Sequence, residues 1–203
     1  MLQCTAFCYQ FITQAAQLLK TQRSVHTLVP GDRVLLHLRR DLLAHHCPEP
    51  VRNTVYLQML RDTPVVYGDE TELQVLKEAG RKAQTKSYMW AQMCEGSGTD
   101  GTGPPIRLFA YAPGRSTALA QPLYAGMRGG GALMTDGYEP YNAIAQTNGL
   151  VHLGCWAHCR RYFNDALQAL PKDRRGPDQL SARFIDLIGQ LYRVEALARQ
   201  RGV

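Results

Sequence analysis

Two aspartates stand where a chain could perform phosphoryl-transfer chemistry. Asp69 lies in Val65-Val66-Tyr67-Gly68-Asp69-Glu70-Thr71, and Asp136 in Leu133-Met134-Thr135-Asp136-Gly137-Tyr138. Each follows a short apolar run and precedes turn-prone residues, which predicts a strand-end position for both. Two carboxylates side by side at strand ends suit Mg²⁺, with Mn²⁺ as substitute, because hard cations take carboxylate, phosphate and water oxygens. Cutting and joining phosphodiesters needs an activated oxygen nucleophile and a stabilised leaving oxygen. Two ions about 3.5–4 Å apart can serve both. An Asp before Gly is also an ordinary turn residue, so Asp136-Gly137 by itself fits either role.

The elements that must position the pair read as follows. Residues 1–60 read as a helical N-terminal segment, with Phe7, Phe11, Ile12, Ala15, Leu18 and Leu19 and then Leu35, Leu36, Leu38, Leu42 and Leu43 at helical spacing. Pro30-Gly31 and Cys47-Pro48-Glu49-Pro50 break it, and Val51 to Leu60 makes a third short helix. From Pro64 the pattern turns to strands: Pro64 to Tyr67, Lys86 to Cys94 and Ile106 to Tyr111, the last two joined by a Gly/Ser/Thr-rich hairpin loop. Ser116 can N-cap a helix running through Leu119, Leu123 and Met127, ended by Gly129-Gly130-Gly131. Ala132 to Thr135 is a fourth strand, Tyr138 to Ala145 a helix, Leu150 to Cys155 a fifth strand and Trp156 to Leu170 a helix. Leu180 to Arg201 is an amphipathic helix with Phe184, Ile185, Leu187, Ile188, Leu191, Tyr192 and Leu197 on its apolar side. Three consecutive strands followed by alternating helices and strands is the ribonuclease-H-like α/β order, a mixed sheet with flanking helices. In that order the first and fourth strands are neighbours, which brings Asp69 and Asp136 together.

Composition sets the outer bounds. The chain has 203 residues, 45% hydrophobic and 20% charged, which excludes a disordered polymer and allows one good core with an appendage. A formal net charge of +6 favours an acidic partner such as DNA. No apolar run approaches the roughly 20 residues that span a bilayer. Met1-Leu2-Gln3-Cys4 does not read as a secretory leader, and the six cysteines form no Cys-x-x-Cys pair. Those features lead to the expectation of a reduced, cytoplasmic protein that does not engage a membrane.

Two further constellations bear on chemistry. Lys77, Arg81, Lys82 and Lys86 follow Asp69, and Arg160-Arg161 follow His158. Spread around the active face they could hold DNA phosphates, while the bland reading is a solvated basic loop. His152, Cys155, His158 and Cys159 form the one dense soft-ligand run. A tetrahedral zinc site would need all four to converge, and the bland reading is a packed Cys beside a solvent-facing His.

Taken together, Gly68-Asp69-Glu70-Thr71 with Leu73-Gln74-Val75-Leu76-Lys77 resembles the first catalytic block of insertion-sequence-66-type transposases. Three later blocks match the family in the same order: Ser87-Tyr88-Met89-Trp90, Thr135-Asp136-Gly137-Tyr138 with Tyr141-Asn142, and Gly154-Cys155-Trp156-Ala157-His158 with Arg160-Arg161. The resemblance runs from about residue 61 to the end. It implies a DDE transposase, whose two Asp and one Glu bind Mg²⁺ on a ribonuclease-H-like core and act on element ends and target DNA. Homo-oligomers and accessory transposition proteins are the implied partners. It also implies a division into 1–60, a core over 61–170, and the start of a helical insertion over 171–203. Carried over, Asp69 is the first acid and Asp136 the second.

The family's third acid lies in an Asp-Asn-Asn-x-x-Glu-Arg-like block, and this sequence has none. Asp165 is a substitute by position, although its spacing from Phe163 and Leu167 places it on a solvated face. Glu195 reads as a helix-surface or salt-bridging residue. The expectation is therefore a truncated transposase with two of three metal ligands, against an alternative in which an inactive remnant binds DNA or a sister subunit. With closing elements missing, the stripe on the last helix should stay unburied.

Overall fold

The computed structural model describes residues 33–35, 49–76 and 80–202. The described residues divide into two compact units, the first within residues 18–153 and the second within residues 154–202. Their elements are β1 (Arg33–Leu35), α1 (Glu49–Arg61), β2 (Val65–Gln74), β3 (Lys86–Cys94), β4 (Ile106–Ala112), α2 (Thr117–Ala120), β5 (Ala132–Thr135), α3 (Pro140–Asn148), β6 (Val151–Gly154), α4 (Trp156–Gln168) and α5 (Leu180–Gln200).

The first unit is built on a mixed six-stranded sheet in the order β1-β4-β3-β2-β5-β6. β2, β3 and β4 form an antiparallel meander, and β5 joins β2 in parallel. Alternation along the strands sorts the side chains onto two faces. On one face Val66, Trp90, Cys94, Ile106, Leu108, Ala110, Ala112 and Leu133 meet Tyr56 and Leu60 of α1, Leu123 and Tyr124, and Tyr141 and Ile144 of α3. Met89, Ala91, Met93, Phe109, Tyr111 and Met134 alternate onto the opposite face and are buried as well. With both faces covered, β3 reads as a continuous apolar run rather than an alternating one.

Several expectations needed correction. Arg33–Leu35 falls in the segment read as helical, but it is a strand paired antiparallel with Leu108–Ala110. The remaining expectations for residues 1–48 lie outside the described residues. The helix expected from Ser116 through Met127 is one α-turn, Thr117–Ala120, continued as a 3₁₀ turn over Gln121–Tyr124. Pro122 has no N–H to extend the ladder, and the tighter turn accommodates it. Asp69 is not at a strand end: β2 continues five residues further, pairing with β3 as far as Gln74–Lys86. The apolar run stops at Tyr67, but backbone pairing to an interior neighbour carries the polar residues on as strand.

The second unit's described part is a helical pair. Phe163 of α4 stacks on Phe184 of α5 with ring centroids 4.4 Å apart. Arg175 closes the end of α4, its guanidinium donating to the carbonyls of Gln168 and Leu170, the carbonyls a helix end leaves over. Ile188 is buried, whereas Leu180, Phe184, Leu187, Leu191, Val194 and Leu197 are exposed. The stripe anticipated on this helix is thus open at Phe184, Leu187, Leu191 and Leu197, half-buried at Ile185 and Tyr192, and buried at Ile188. Among the described residues no helix is long and apolar enough to cross a membrane.

Candidate active site

The parallel register between β2 and β5 aligns Val65 with Ala132, Val66 with Leu133 and Tyr67 with Met134. Two residues further along both strands come Asp69 and Asp136. Asp69 therefore lies on the face opposite Val66, and Asp136 lies just past the end of the neighbouring strand, two residues beyond the last paired position. Here β5 ends and turns away, while β2 continues against β3, where Asp69 pairs with Ala91. Both aspartates are half-buried.

Local backbone groups orient both carboxylates. The Glu70 N–H donates to Asp69 Oδ1 at 2.9 Å, and the Tyr138 N–H donates to Asp136 Oδ1 at 2.9 Å. The second bond makes Asp136 the head of an Asx turn, with Gly137 following at φ +87°. Only glycine adopts that φ without strain. The turn reading of Asp136-Gly137 is therefore correct, and the turn follows directly on the end of β5 at Thr135.

Behind the turn lies a polar relay. Thr135 Oγ1 accepts from the Gly137 N–H at 3.2 Å and lies 2.8 Å from His152 Nε2, while His152 Nδ1 lies 2.7 Å from Asn142 Oδ1. The Asn142 oxygen accepts from Nδ1–H, while the Thr135 hydroxyl can either donate to Nε2 or accept from it. Burial lowers the His152 pKa, and the nearby Asp136 charge works against that shift.

The acid next to Asp69 has a different task. Glu70 points to the helix-covered face, its side chain 2% exposed, and its Oε1 accepts from Arg115 Nε at 2.8 Å and Nη2 at 2.6 Å. Its Oε2 accepts from the Tyr141 hydroxyl at 2.6 Å. Three donors satisfy this desolvated carboxylate, so it holds structure together rather than facing the aspartate pair. The Arg115 guanidinium sits 3.6 Å from the Tyr138 ring centroid, and the Tyr138 hydroxyl donates to the Arg115 carbonyl. Burial opposes the Arg115 charge, but the hydrogen bond and charge of Glu70, with smaller help from Tyr138 and Asp136, outweigh it and raise its pKa. Gly68 is required by this packing: a Cβ there would strike the Tyr124 hydroxyl and come within 3.3 Å of the Tyr141 ring.

The other sequence candidates are placed as follows. Lys77 lies outside the described residues. Arg81 is bound to Ser87 Oγ and the Lys86 carbonyl, Lys82 is exposed, and Lys86 is an exposed partner of Glu72. Lys86 pairs with Gln74, five residues along β2 from Asp69, about 17 Å at strand rise. Arg160 and Arg161 are exposed on α4, and so is Asp165. Glu195 forms an ion pair with Arg199, as its surface spacing suggested. Among the described residues, no three His, Cys, Asp or Glu side chains are grouped to hold a metal ion. His152 instead belongs to the Thr135 relay, and Cys155 and His158 are buried. The residues that sequence reasoning missed are Glu70 and Arg115. Glu70 was hidden by its neighbour Asp69, and Arg115 by lying in the Pro113-Gly114-Arg115-Ser116 loop, where only Ser116 carried a local signal.

Hard carboxylate donors on one face suit Mg²⁺ or Mn²⁺ as far as they go, and Asp69 and Asp136 supply two of them. Comparison with known proteins gives this pair its setting. The family model described as "Transposase IS66 family" matches residues 44–202. The chain is 33% identical over 146 residues to "Uncharacterized protein y4qI" of Sinorhizobium fredii (strain NBRC 101917 / NGR234), an alignment covering 68% of this chain and 25% of that protein. The chain thus spans about a quarter of the length of the curated relative it matches. No solved structure matches it significantly. Both aspartates, the Thr135 relay and the Glu70–Arg115 pair lie inside the matched span, and the chain belongs to the IS66 family of transposases.

Proposed function

We propose that this chain carries the part of a DDE-class DNA transposase that holds divalent metal through Asp69 and Asp136. One observation supports the reading: parallel register on β2 and β5 runs to Tyr67–Met134, two residues short of Asp69 and Asp136, and a backbone amide orients each carboxylate. The order β4-β3-β2-β5-β6, an antiparallel meander joined in parallel by the next strand, supports a ribonuclease-H-like core. When bound there, Mg²⁺ would supply charge stabilisation to an in-line exchange of phosphodiester oxygens. Asp69 and Asp136 would hold it, and the backbone amides of Glu70 and Tyr138 fix how those carboxylates are presented. Lys77, Lys82, Lys86, Arg160 and Arg161 are proposed phosphate contacts for element-end and target DNA, with Arg81 bracing their loop through Ser87. A basic net charge supports that partner.

A second reading has its own observation. Among the described residues no third acid joins the pair, which favours a chain that binds DNA or a sister subunit without cutting it. Incubating the purified chain with element-end DNA and Mg²⁺ or Mn²⁺ separates the two readings. Metal-dependent nicking that disappears in Asp136→Asn establishes the catalytic reading. DNA binding without nicking at any metal concentration establishes the other.

A further inference from the structure

We infer that Glu70 and Arg115 are positioning residues that set the relation between the two aspartates, and that neither is a ligand of the metal they would hold. The inference rests on the metal-holding reading of Asp69 and Asp136 and adds to it the device that keeps the pair in place.

The pair needs such a device because no backbone hydrogen-bond ladder fixes it. Paired register between β2 and β5 ends at Tyr67–Met134, before either aspartate. Asp69 is still held by β3, but Asp136 sits in the turn after β5 has ended. Side chains on the opposite face restore the missing connection. From Asp136, the Tyr138 N–H binds the carboxylate. Tyr138 then carries Arg115 twice, once through its hydroxyl to the Arg115 carbonyl and once through its ring beneath the guanidinium. Arg115 in turn grips Glu70 Oε1 through two nitrogens, and Glu70 is covalently next to Asp69. Tyr141, on the helix that follows the turn, binds the other Glu70 oxygen. A closed loop therefore runs from one aspartate to the other through Glu70, Arg115 and Tyr138. A buried carboxylate with three donors, and a guanidinium both forked and stacked, tolerate little displacement.

Arg115 cannot be helping a cation bind by its charge. It lies close enough to Asp136 for their charges to interact, and a guanidinium beside a divalent cation repels it. Removing the charge alone would strengthen metal binding, whereas removing a positioning residue weakens it. A variant that keeps the charge and loses the grip therefore reads positioning alone.

The experiment is a calorimetric titration of the 203-residue chain with Mn²⁺, at a temperature where melting curves show each variant folded. Asp136→Asn is the reference for the metal site. Arg115→Lys keeps the charge but loses the two-nitrogen grip and the flat stacking surface. It should lower Mn²⁺ affinity about tenfold, the usual scale for residues that orient ligands. Glu70→Gln should fall in the same direction, and the Glu70→Gln/Arg115→Lys double variant should be no worse than the weaker single one, because both break one loop. Should Arg115→Lys fail to fold, Tyr138→Phe removes a single hydroxyl from the loop and should still lower affinity several-fold. Wild-type affinity in the variant tested, or tighter binding, with Asp136→Asn still defective, overturns the positioning role and leaves the metal reading intact. Equal binding by wild type and Asp136→Asn overturns the metal reading, and the positioning inference with it.

Discussion

Strand β3 and helix α5 are both rich in large apolar residues, and they end up in opposite surroundings. From Met89 to Cys94 every β3 residue is buried, the polar Gln92 included, whereas α5 fully buries Ile188 and leaves six large apolar side chains exposed. Composition does not separate them. β3 has a hydrogen-bonded strand on each side and packing on both faces, so each residue meets neighbours whichever way it points. α5 shows one described partner, α4, and a single helix covers only one stripe of another. The lesson concerns where function can be anchored. The aspartate pair is held by the element set with the most neighbours, and the open stripe lies in the unit with the fewest.

The largest expected effect tests that contrast directly. Leu133→Ala, at a position with 0% exposure, should lower unfolding free energy by about 3 kcal/mol. Leu187→Ala, at 54% exposure, should change it by less than about 0.5 kcal/mol. Urea denaturation of the two variants measures both. A loss at Leu187 as large as that at Leu133 would mean the stripe is covered in solution, and the comparison would break.

Next in size is Gly68→Ala, expected to cost about 1–3 kcal/mol by forcing a methyl group against Tyr124 and Tyr141. Denaturant midpoints would read the loss, and tyrosine near-ultraviolet circular dichroism would show the rings displaced. A stable variant with an unchanged spectrum would mean the helices over the sheet shift cheaply, which would weaken the case for a rigid site.

The smallest effect is a pH dependence. Burial lowers the His152 pKa in the folded chain, so the folded state disfavours the proton. The stabilising contribution is therefore present above the unfolded value near 6.5 and is lost as pH falls through the lower folded value. Stability should decline modestly from pH 7 to pH 5, with Asp136 softening the decline, and His152→Gln should flatten that part of the curve. An identical pH profile in the variant would remove His152 from the account. The decline would sharpen the comparison by locating a weak polar point inside the well-packed unit.

Local pattern was enough for much of the chain. Lys86–Cys94 and Ala132–Thr135 form strands with the bounds that their apolar and β-prone runs suggest, and α5 begins at Leu180 as its periodicity implies. Order then implied that Asp69 and Asp136 meet, since strands at those places in the chain become neighbours. Errors fell where distant partners override local preference. Arg33–Leu35 is a strand because β4 offers it an edge, and β2 runs on past Asp69 because β3 pairs with it.

What the sequence by itself determined is the approximate placement of the candidate acidic pair, because short apolar runs and an Asp-Gly turn are local signals. It also carried the family membership, through blocks kept in order over most of the chain. Which neighbour of the pair faces it and which turns away was decided only by tertiary structure. Asp69 and Glu70 are adjacent acids of nearly equal chemistry, yet strand alternation puts them on opposite sheet faces and carries Glu70 into a buried grip by Arg115, 45 residues away. No local rule could assign those roles, because the sheet face a residue occupies depends on what covers that face, and the covering residues come from elsewhere in the chain.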